Sequence, residues 1–370
     1  MKKLKVLYGI CGLGNGHTYR QLPVVEHFAH IAEVIIFAHD NSYIVYLEKF
    51  KDNPSVKVVE VAIPFYVGDK NGINFSASAE SPVNKKNIFQ INCAALDRAH
   101  KELGKPDLVI SDYESVSAQY AYAHDVPLVT IDQQSKYLCG EFPEEVGGFT
   151  FKDEIERLHM FFPKVHTRIA CSFFKVPQLP KKDTVQLFPP TLKKSVLSMK
   201  RNPKNNSIVV YISSAREFGQ TPEEIIALCT EQKIGEFHIF LGQETPKIPK
   251  EGLRKGINVY THGDPRFDEV IQECTGIIST AGHSLLSEAM YLGIPVYAIP
   301  VSPYEQHMNA YVIDSNGFGI SHPKIDKEKL SYFIENIPKF ANNISSDTEV
   351  LMRGIGQEEI IKFLEKNFGT

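Results

Sequence analysis

The sequence has 370 residues, which is long for one hydrophobic core and suits two domains of ordinary size. Its 43% hydrophobic and 23% charged residues are typical of a soluble globular protein, and its net charge of −4 gives no reason to expect nucleic acid as a partner. The six cysteines include no Cys-x-x-Cys pair, so neither a disulfide framework nor a zinc site is expected. The apolar runs have the length of strands, and a strand begins close to Met1. We therefore expect no membrane-spanning helix, no signal peptide and a cytoplasmic protein.

The first predicted element is a strand at residues 4–9, from which a glycine-rich turn, Gly-Ile-Cys-Gly-Leu-Gly-Asn-Gly-His, leads into a helix. A dinucleotide-binding fingerprint would need a third glycine where His17 stands, and only Asp40, after the next predicted strand, favours that alternative. We interpret the turn as the place where an acceptor approaches the backbone. His17 is the candidate general base, because imidazole titrates near neutral pH. The predicted acceptor-side residues of the turn are Gly14, Asn15 and Gly16.

Two further predicted strands of the first half end in polar residues. An amphipathic helix at residues 85–103 precedes a strand at 106–112, which ends in Asp112. From there Asp112 can reach His17, select its tautomer and stabilise the imidazolium, or it can cap the helix that follows; the sequence leaves both open. The strand at 126–131 leads to Asp132 and Gln133, which we predict to line an acceptor pocket. The loop at 141–148 is predicted to be mobile.

Residues 177–206 contain five prolines and many lysines with little apolar periodicity, which predicts a connection between two domains. We place the first domain at 1–185, the connection at 186–206 and the second domain at 207–355. The connection and its flanks are basic, and a peripheral contact with anionic lipid at the inner face of a membrane is an alternative to a solvated segment. The basic residues are Lys181, Lys182, Lys193, Lys194, Lys200, Arg201 and Lys204.

The most informative stretch is at residues 276–319, where strand, helix, strand and helix follow one another. A turn at Gly282 opens the first of these helices, and its unpaired N–H groups and positive dipole end suit a diphosphate. Ser284 adds a hydroxyl donor. One turn further on, the carboxylate of Glu288 can accept both hydroxyls of a ribose. Glu305 and Gln306 follow the next strand at the same edge of the sheet, where open α/β sheets bind ligands.

The order Gly-x-Ser-x-x-x-Glu-Ala, Gly-x-Pro, Pro and Glu-Gln-x-x-Asn-Ala resembles the donor-site segment of GT-B glycosyltransferases. It is similar to UDP-glycosyltransferases and to the N-acetylglucosaminyltransferase that forms lipid II in peptidoglycan synthesis. The N-terminal Gly-x-Gly-x-Gly-His is similar to the glycine loop of the latter enzyme, and in plant UDP-glycosyltransferases a histidine at this place deprotonates the acceptor. The resemblance implies an α/β protein of two Rossmann-like parallel-sheet domains facing a central cleft, with a terminal helix at 356–370 that crosses back to the first domain.

The resemblance also implies roles for individual residues. His17 and Asp112 become the catalytic pair. Ser213, Ser214 and Arg216, in the turn after the first strand of the second domain, are expected near the diphosphate, and the backbone at Phe267 near the base. The implied donor-binding set is Gly282, His283, Ser284, Leu285, Glu288, Glu305, Gln306, Ser213, Ser214, Arg216 and Phe267.

Three functions are compatible with this pattern. The first is an inverting glycosyltransferase for cell-envelope polysaccharides that moves a sugar from a nucleotide donor, with UDP favoured, to a hydroxyl of a glycan, lipid-linked or small-molecule acceptor. No Asp-x-Asp motif occurs, so neither a metal ion nor another cofactor is expected. The second is a nucleotide-sugar hydrolase or epimerase, which Gly16-His17-x-x-Arg20 also resembles. The third is a sugar-nucleotide-binding protein without turnover.

Overall fold

The structure is a computed structural model that describes residues 3–13, 15–69, 72–179, 185–204, 206–212, 220–233, 235–242, 253–301 and 304–369. The chain divides into two compact units. Unit 1 consists of residues 1–172, 176–193 and 352–370, and unit 2 of residues 173–175 and 194–351. In the described part of the chain, no helix combines the length and apolar character that a membrane crossing requires.

Strands and helices alternate along both units. In chain order the strands are β1 (Leu4–Ile10), β2 (Ala32–Ala38), β3 (Val56–Glu60), β4 (Gly68–Asp69), β5 (Gly72–Ile73), β6 (Leu108–Asp112), β7 (Leu128–Asp132), β8 (Glu145–Val146), β9 (Phe149–Thr150), β10 (Thr167–Cys171), β11 (Val185–Phe188), β12 (Ser207–Ile212), β13 (Glu236–Leu241), β14 (Ile257–Tyr260), β15 (Gly276–Thr280), β16 (Val296–Ile299) and β17 (Gly319–Ser321). The helices are α1 (Asn15–Ile31), α2 (Asp40–Phe50), α3 (Phe75–Glu80), α4 (Ile88–Glu102), α5 (Ser115–His124), α6 (Lys136–Cys139), α7 (Lys152–Phe161), α8 (Lys194–Ser198), α9 (Pro222–Glu231), α10 (Phe267–Glu273), α11 (His283–Leu292), α12 (Tyr304–Ser315), α13 (Lys327–Ser346) and α14 (Gly356–Phe368), with a short 3-10 helix at Pro82–Lys85.

Unit 1 is built on a seven-stranded sheet in the order β11-β10-β7-β6-β1-β2-β3. All neighbouring strands in it are parallel. Apolar side chains pack in a separate cluster on each face of this sheet. Leu7 of β1 belongs to one cluster and Tyr8 to the other, because successive side chains of a strand point to opposite faces of the sheet. Helix α14 belongs to this unit, and its Ile360 and Leu364 are buried in the cluster that contains Tyr8.

Unit 2 is built on a six-stranded sheet in the order β14-β13-β12-β15-β16-β17, again with parallel neighbours. Helix α11 connects β15 to β16, and α12 connects β16 to β17. Parallel neighbours require such crossovers, and all their strands end at the same edge of the sheet. The two parallel α/β sheets predicted from the sequence are therefore confirmed.

Two segments differ from the sequence-based expectation. The connection placed at 186–206 holds most of β11, which pairs with β10 as an edge strand of the first sheet, and all of α8. The loop predicted to be mobile at 141–148 contains β8, which forms an antiparallel pair with β9. Gly147 and Gly148 make the intervening turn at φ values of 63° and 82°, which glycine adopts without steric cost. Lys181 and Lys182 of the basic segment lie outside the described residues.

Candidate active site

His17 and Asp112 meet at the carboxyl edge of the first sheet. His17 lies in the first turn of α1, and Asp112 is the last residue of β6. The pairing of β1 with β6 sets Ile10 opposite Asp112, so the turn after β1 begins beside the aspartate. Nδ1 of His17 lies 3.0 Å from Oδ1 of Asp112, and the His17 side chain is 15% exposed whereas that of Asp112 is fully buried.

The alternative in which Asp112 caps the next helix is wrong. Glu114 caps α5 instead, because its carboxylate accepts the backbone N–H groups of Val116 and Ser117. Tyr113, between the two acids, has a φ of 54°, a left-handed conformation that is rare for an aromatic residue. This backbone turn separates Asp112 from the helix end and leaves its carboxylate for His17.

Arg20 is a site residue that the predicted set lacked. It forms a bidentate ion pair with Asp112, in which Nε donates to Oδ2 at 3.0 Å and Nη2 donates to Oδ1 at 2.5 Å. Its signal in the sequence is its position three residues after His17, which places both side chains on one face of α1. Burial opposes ionisation of Asp112, but the charge of Arg20, and then His17, outweigh this effect and hold the pKa of Asp112 below its ordinary value.

The turn after β2 holds the glycine-rich turn in place. Nε2 of His39 accepts the backbone N–H of Gly12 at 2.9 Å, and Asn41 donates to the side chain of Asn15. A Cβ at Gly12 would stand 1.7 Å from the carbonyl oxygen of His39, so this close approach requires glycine. Asp40, which favoured a dinucleotide site, contacts Nδ1 of His39 at 2.8 Å. Gly14 lies outside the described residues.

Replacing His39 tests this support. We expect His39→Ala to lower the free energy of unfolding by about 1–3 kcal/mol, because a buried N–H loses its acceptor. His39→Gln retains an acceptor and should lose less. Urea unfolding of both variants at about pH 8 provides the measurement, and equal stability of His39→Ala and the wild type would contradict the assignment.

The same contact should depend on pH. Burial lowers the pKa of His39, although Asp40 partly opposes the effect. A histidine whose pKa is lowered by folding contributes stability that is complete above its ordinary pKa of about 6.5 and is lost as the pH falls through the folded-state value. The stability difference between the wild type and His39→Ala should therefore shrink below about pH 6.

Asp132 and Gln133, predicted to line an acceptor pocket, have buried side chains with partners inside their own turn. Both oxygens of Asp132 accept hydrogen bonds from Ser135, from its N–H at 2.6 Å and its hydroxyl at 2.9 Å. Oε1 of Gln133 accepts from Nζ of Lys136, a lysine that is itself fully buried. The two residues shape the turn after β7 rather than present open side chains.

On unit 2, the predicted diphosphate position lies at the start of α11. Gly282 is the N-cap, and no side chain caps this helix end. His283 is buried beside Phe173, whereas Ser284 and Leu285 are half-buried. Glu288 lies in the next turn and is 7% exposed. The local sequence produces this arrangement because glycine begins the helix without a competing side chain and Leu286, Ala289 and Met290 anchor it in the unit.

Glu305 and Gln306 lie in the first turn of α12, after β16. Oε1 of Gln306 accepts the N–H of Val301 at 2.9 Å. The predicted set lacked Asn309, although the sequence pattern that carries the resemblance contains it. Its fully buried amide donates to the carbonyl of Ala281 at 3.0 Å and to Oε1 of Glu305 at 3.4 Å, which ties α12 to the turn that opens α11.

Phe267 begins α10 and packs edge-on against Tyr211 and Phe240. His262 stacks on Tyr211 at 4.6 Å between ring centroids, so the segment expected near the base is held by aromatic contacts. Ser213, Ser214 and Arg216 lie outside the described residues. Within the described ranges, no group of three or more histidine, cysteine, aspartate or glutamate side chains is arranged to hold a metal ion.

Each of the two units is built on a parallel α/β sheet, which is the architecture that the resemblance to GT-B glycosyltransferases implies. A family model described as glycosyl transferase family 1 matches residues 4–338. The chain belongs to that family, and the resemblance stated from the sequence is confirmed.

Proteins similar to this chain are also described as glycosyltransferases. An uncharacterized glycosyltransferase of Methanosarcina mazei is 21% identical over 388 residues, which cover 99% of both chains. A UDP-glucosyltransferase from Polygonum tinctorium capable of glucosylating indoxyl, solved in a complex with 3,4-dichloroaniline, has a TM-score of 0.68 at 12% identity and covers 100% of this chain and 99% of its own. LpCGTa, solved in complex with UDP, has a TM-score of 0.67 at 13% identity and covers 99% of this chain and 100% of its own.

Proposed function

We propose that this glycosyltransferase moves a sugar from a UDP-sugar to an acceptor hydroxyl, with inversion at the anomeric carbon and without a metal ion. The observation that carries the proposal is the contact of Nδ1 of His17 with Oδ1 of Asp112 at 3.0 Å. When Nδ1 carries the imidazole proton and donates a hydrogen bond to the carboxylate, the lone pair of the imidazole is on Nε2 and can accept a proton. The acceptor is a glycan, a lipid-linked molecule or a small molecule.

The proposed reaction is a single displacement. Nε2 of His17 takes the proton of the acceptor hydroxyl while the oxygen bonds to the anomeric carbon. The bond from that carbon to the diphosphate breaks, and its electron pair leaves with the diphosphate. Attack from the face opposite the leaving group inverts the configuration, with no covalent intermediate on the enzyme. Asp112 stabilises the imidazolium that forms.

Unit 2 would bind the donor. The N–H groups and the positive dipole end of α11 at Gly282 suit a diphosphate, and they would stabilise its charge as it leaves, which is the task of a metal ion in other transferases. The carboxylate of Glu288 would accept the two ribose hydroxyls. Support for UDP comes from similar folds, since LpCGTa was solved with UDP and the Polygonum tinctorium enzyme is a UDP-glucosyltransferase.

Replacing Glu288 tests the donor site. Glu288→Ala should weaken UDP binding by about 10- to 100-fold, because hydrogen bonds to a charged group contribute about 1.5–3 kcal/mol. Titration calorimetry with UDP provides the measurement. Glu335→Ala, an exposed glutamate of α13 in the same unit, is the matched control and should bind UDP as the wild type does. Equal affinity of Glu288→Ala and the wild type would remove Glu288 from the donor site.

One assay tests the proposed reaction. The protein is incubated with UDP-, GDP- and TDP-sugars and a panel of hydroxyl acceptors, and the configuration of the product is read by NMR. We expect transfer from UDP-sugars, inversion and full activity in EDTA. Free sugar without any transfer product would indicate a hydrolase, a 2-epimer of the donor would indicate an epimerase, and binding without either product would indicate a sensor. Retention, a preference for GDP or loss of activity in EDTA would each overturn the corresponding part of the proposal.

A further inference from the structure

Tyr113, the residue directly after Asp112, has a backbone conformation that its own side chain disfavours. Its φ of 54° lies in the left-handed region, where Cβ comes too close to the backbone. A residue keeps such a conformation only when the surrounding structure holds it there. The support must act on the Tyr113 side chain, which is buried in the first unit.

Helix α7 supplies that support at two points. The hydroxyl of Tyr113 donates to Oε2 of Glu154 at 3.0 Å, and its ring packs edge-on against Phe161 at 5.5 Å between centroids. Glu154, Leu158 and Phe161 follow one another at spacings of four and three residues, so they lie on one face of α7, and all three are buried. Burial, and then the charge of Glu154, raise the pKa of Tyr113, so its hydroxyl keeps the proton that it donates.

Glu154 is itself held in place by a neighbouring cation. Nη1 of Arg157 lies 3.5 Å from Oε1 of Glu154, and the same guanidinium also pairs with Asp153. A carboxylate that is only 6% exposed needs such a compensating charge. Each oxygen of Glu154 therefore has a partner, Tyr113 on one and Arg157 on the other, and this fixes the position of the acceptor for the Tyr113 hydroxyl.

The conformation of Tyr113 bears directly on Asp112, because one peptide group joins the two residues. A change of φ at Tyr113 tilts this peptide, whose carbonyl belongs to Asp112 and accepts the N–H of Cys11 at 2.9 Å. The side chain of Asp112 would move with it, and the distance of 3.0 Å between Oδ1 of Asp112 and Nδ1 of His17 would change. The geometry of the pair thus depends on how firmly Tyr113 is held.

We propose that Glu154 is a positioning residue for the pair of His17 and Asp112, and that it acts through the hydroxyl of Tyr113. This inference rests on the proposed function, in which the pair takes the proton of the acceptor. The role is geometric. The hydrogen bond between Glu154 and Tyr113 keeps the left-handed turn in place, and the turn keeps the carboxylate of Asp112 beside His17 and away from the start of α5.

The first test removes the hydroxyl alone. Tyr113→Phe keeps the ring, and Tyr120→Phe is the matched control, because Tyr120 is a buried tyrosine of α5 whose hydroxyl donates to the carbonyl of Gly104 at 2.7 Å. Both variants should lose stability in urea to a similar extent. Only Tyr113→Phe should lose kcat for transfer from a UDP-sugar, by about 10-fold or more, because a small displacement of a catalytic group is enough to slow the reaction. Both should bind UDP as the wild type does in titration calorimetry.

The second test changes the other partner. Glu154→Gln keeps an acceptor oxygen for the Tyr113 hydroxyl and should retain most of the wild-type kcat. Glu154→Leu removes the acceptor and should show the loss seen in Tyr113→Phe. The losses of Tyr113→Phe and Glu154→Leu should not add in the double variant, because both remove the same contact. Additive losses would mean that Glu154 does not act through Tyr113 and would overturn the proposal.

A readout that needs no turnover completes the test. The ¹⁵N shift of Nδ1 of His17 should change in Tyr113→Phe and stay at the wild-type value in Tyr120→Phe. Equal shifts in all three proteins, or wild-type kcat in a Tyr113→Phe variant that has lost stability, would make the hydrogen bond purely structural and overturn the proposal. If Tyr113→Phe and Glu154→Leu do not fold, Glu154→Asp decides by the same kcat criterion, because it keeps the charge and withdraws the carboxylate by one methylene. Transfer by the wild type that Tyr113→Phe retains defeats this inference alone, whereas absence of transfer by the wild type defeats the proposed function.

Discussion

His17→Ala is expected to lower kcat for sugar transfer by about 10²- to 10⁴-fold and to leave UDP binding unchanged, because a general base contributes about that factor. His17 lies in unit 1 with its Nδ1 engaged by Asp112 and Arg20, whereas the predicted donor residues Gly282 and Glu288 belong to unit 2. Steady-state kinetics gives kcat, and titration calorimetry with UDP gives the affinity.

The matched control is His30→Ala, which removes an exposed histidine from the other end of α1 and should retain wild-type kinetics. Wild-type turnover in His17→Ala would show that another group takes the proton. Loss of UDP affinity in the same variant would show that His17 belongs to donor binding.

Asp112→Ala is expected to lower the free energy of unfolding by about 3–5 kcal/mol. Removing one partner of a buried ion pair leaves the other charge uncompensated, and Arg20 is 5% exposed with a pKa raised by Asp112 against the effect of burial. Urea unfolding at about pH 7 measures the loss. Asp97→Ala is the control, because its ion pair with Lys101 is on the surface and should change stability by less than about 1 kcal/mol.

The stability from Asp112 should disappear in acid. Its folded-state pKa lies below the ordinary value, so its contribution is complete above the unfolded-state pKa of about 3.9 and is lost as the pH falls through the folded-state pKa. The stability difference between the wild type and Asp112→Ala should therefore be constant above about pH 5 and decrease below about pH 4. A difference that stays constant down to about pH 2 would mean that the charge of Asp112 is not what stabilises the fold.

Helices and strands with a strong periodicity of apolar residues were predictable from the sequence. The first strand predicted at 4–9 is β1 (Leu4–Ile10), and the strand predicted at 106–112 is β6 (Leu108–Asp112), because buried parallel strands are short apolar runs between turn residues. The loop predicted at 141–148 illustrates the limit. The two-residue strand β8 has no period to detect, and it is defined by its pairing with β9.

The candidate site also has residues that the local sequence predicts and contacts that it does not. His17 after a glycine turn, Asp112 at a strand end and Glu288 one turn into a helix are positions set by local pattern, so sequence reasoning reached them, and the family followed from their order. The pattern left open whether Asp112 caps α5 or pairs with His17; in the structure Glu114, directly before α5, caps the helix, and Asp112, three residues before it, pairs with His17. The left-handed backbone at Tyr113 decided it.

The sequence by itself determined the alternation of strands and helices and the residues at the strand ends, because hydrophobic period and turn residues act over short distances along the chain. The glycosyltransferase class and the two parallel-sheet units followed from the resemblance of its motifs to a known family. Only the tertiary structure decided that Arg20 shares Asp112 with His17 and that His39 supports Gly12. These contacts join α1 to β6 and the turn after β2 to the turn after β1, and buried polar groups find such partners only once the sheet has brought separate strand ends together.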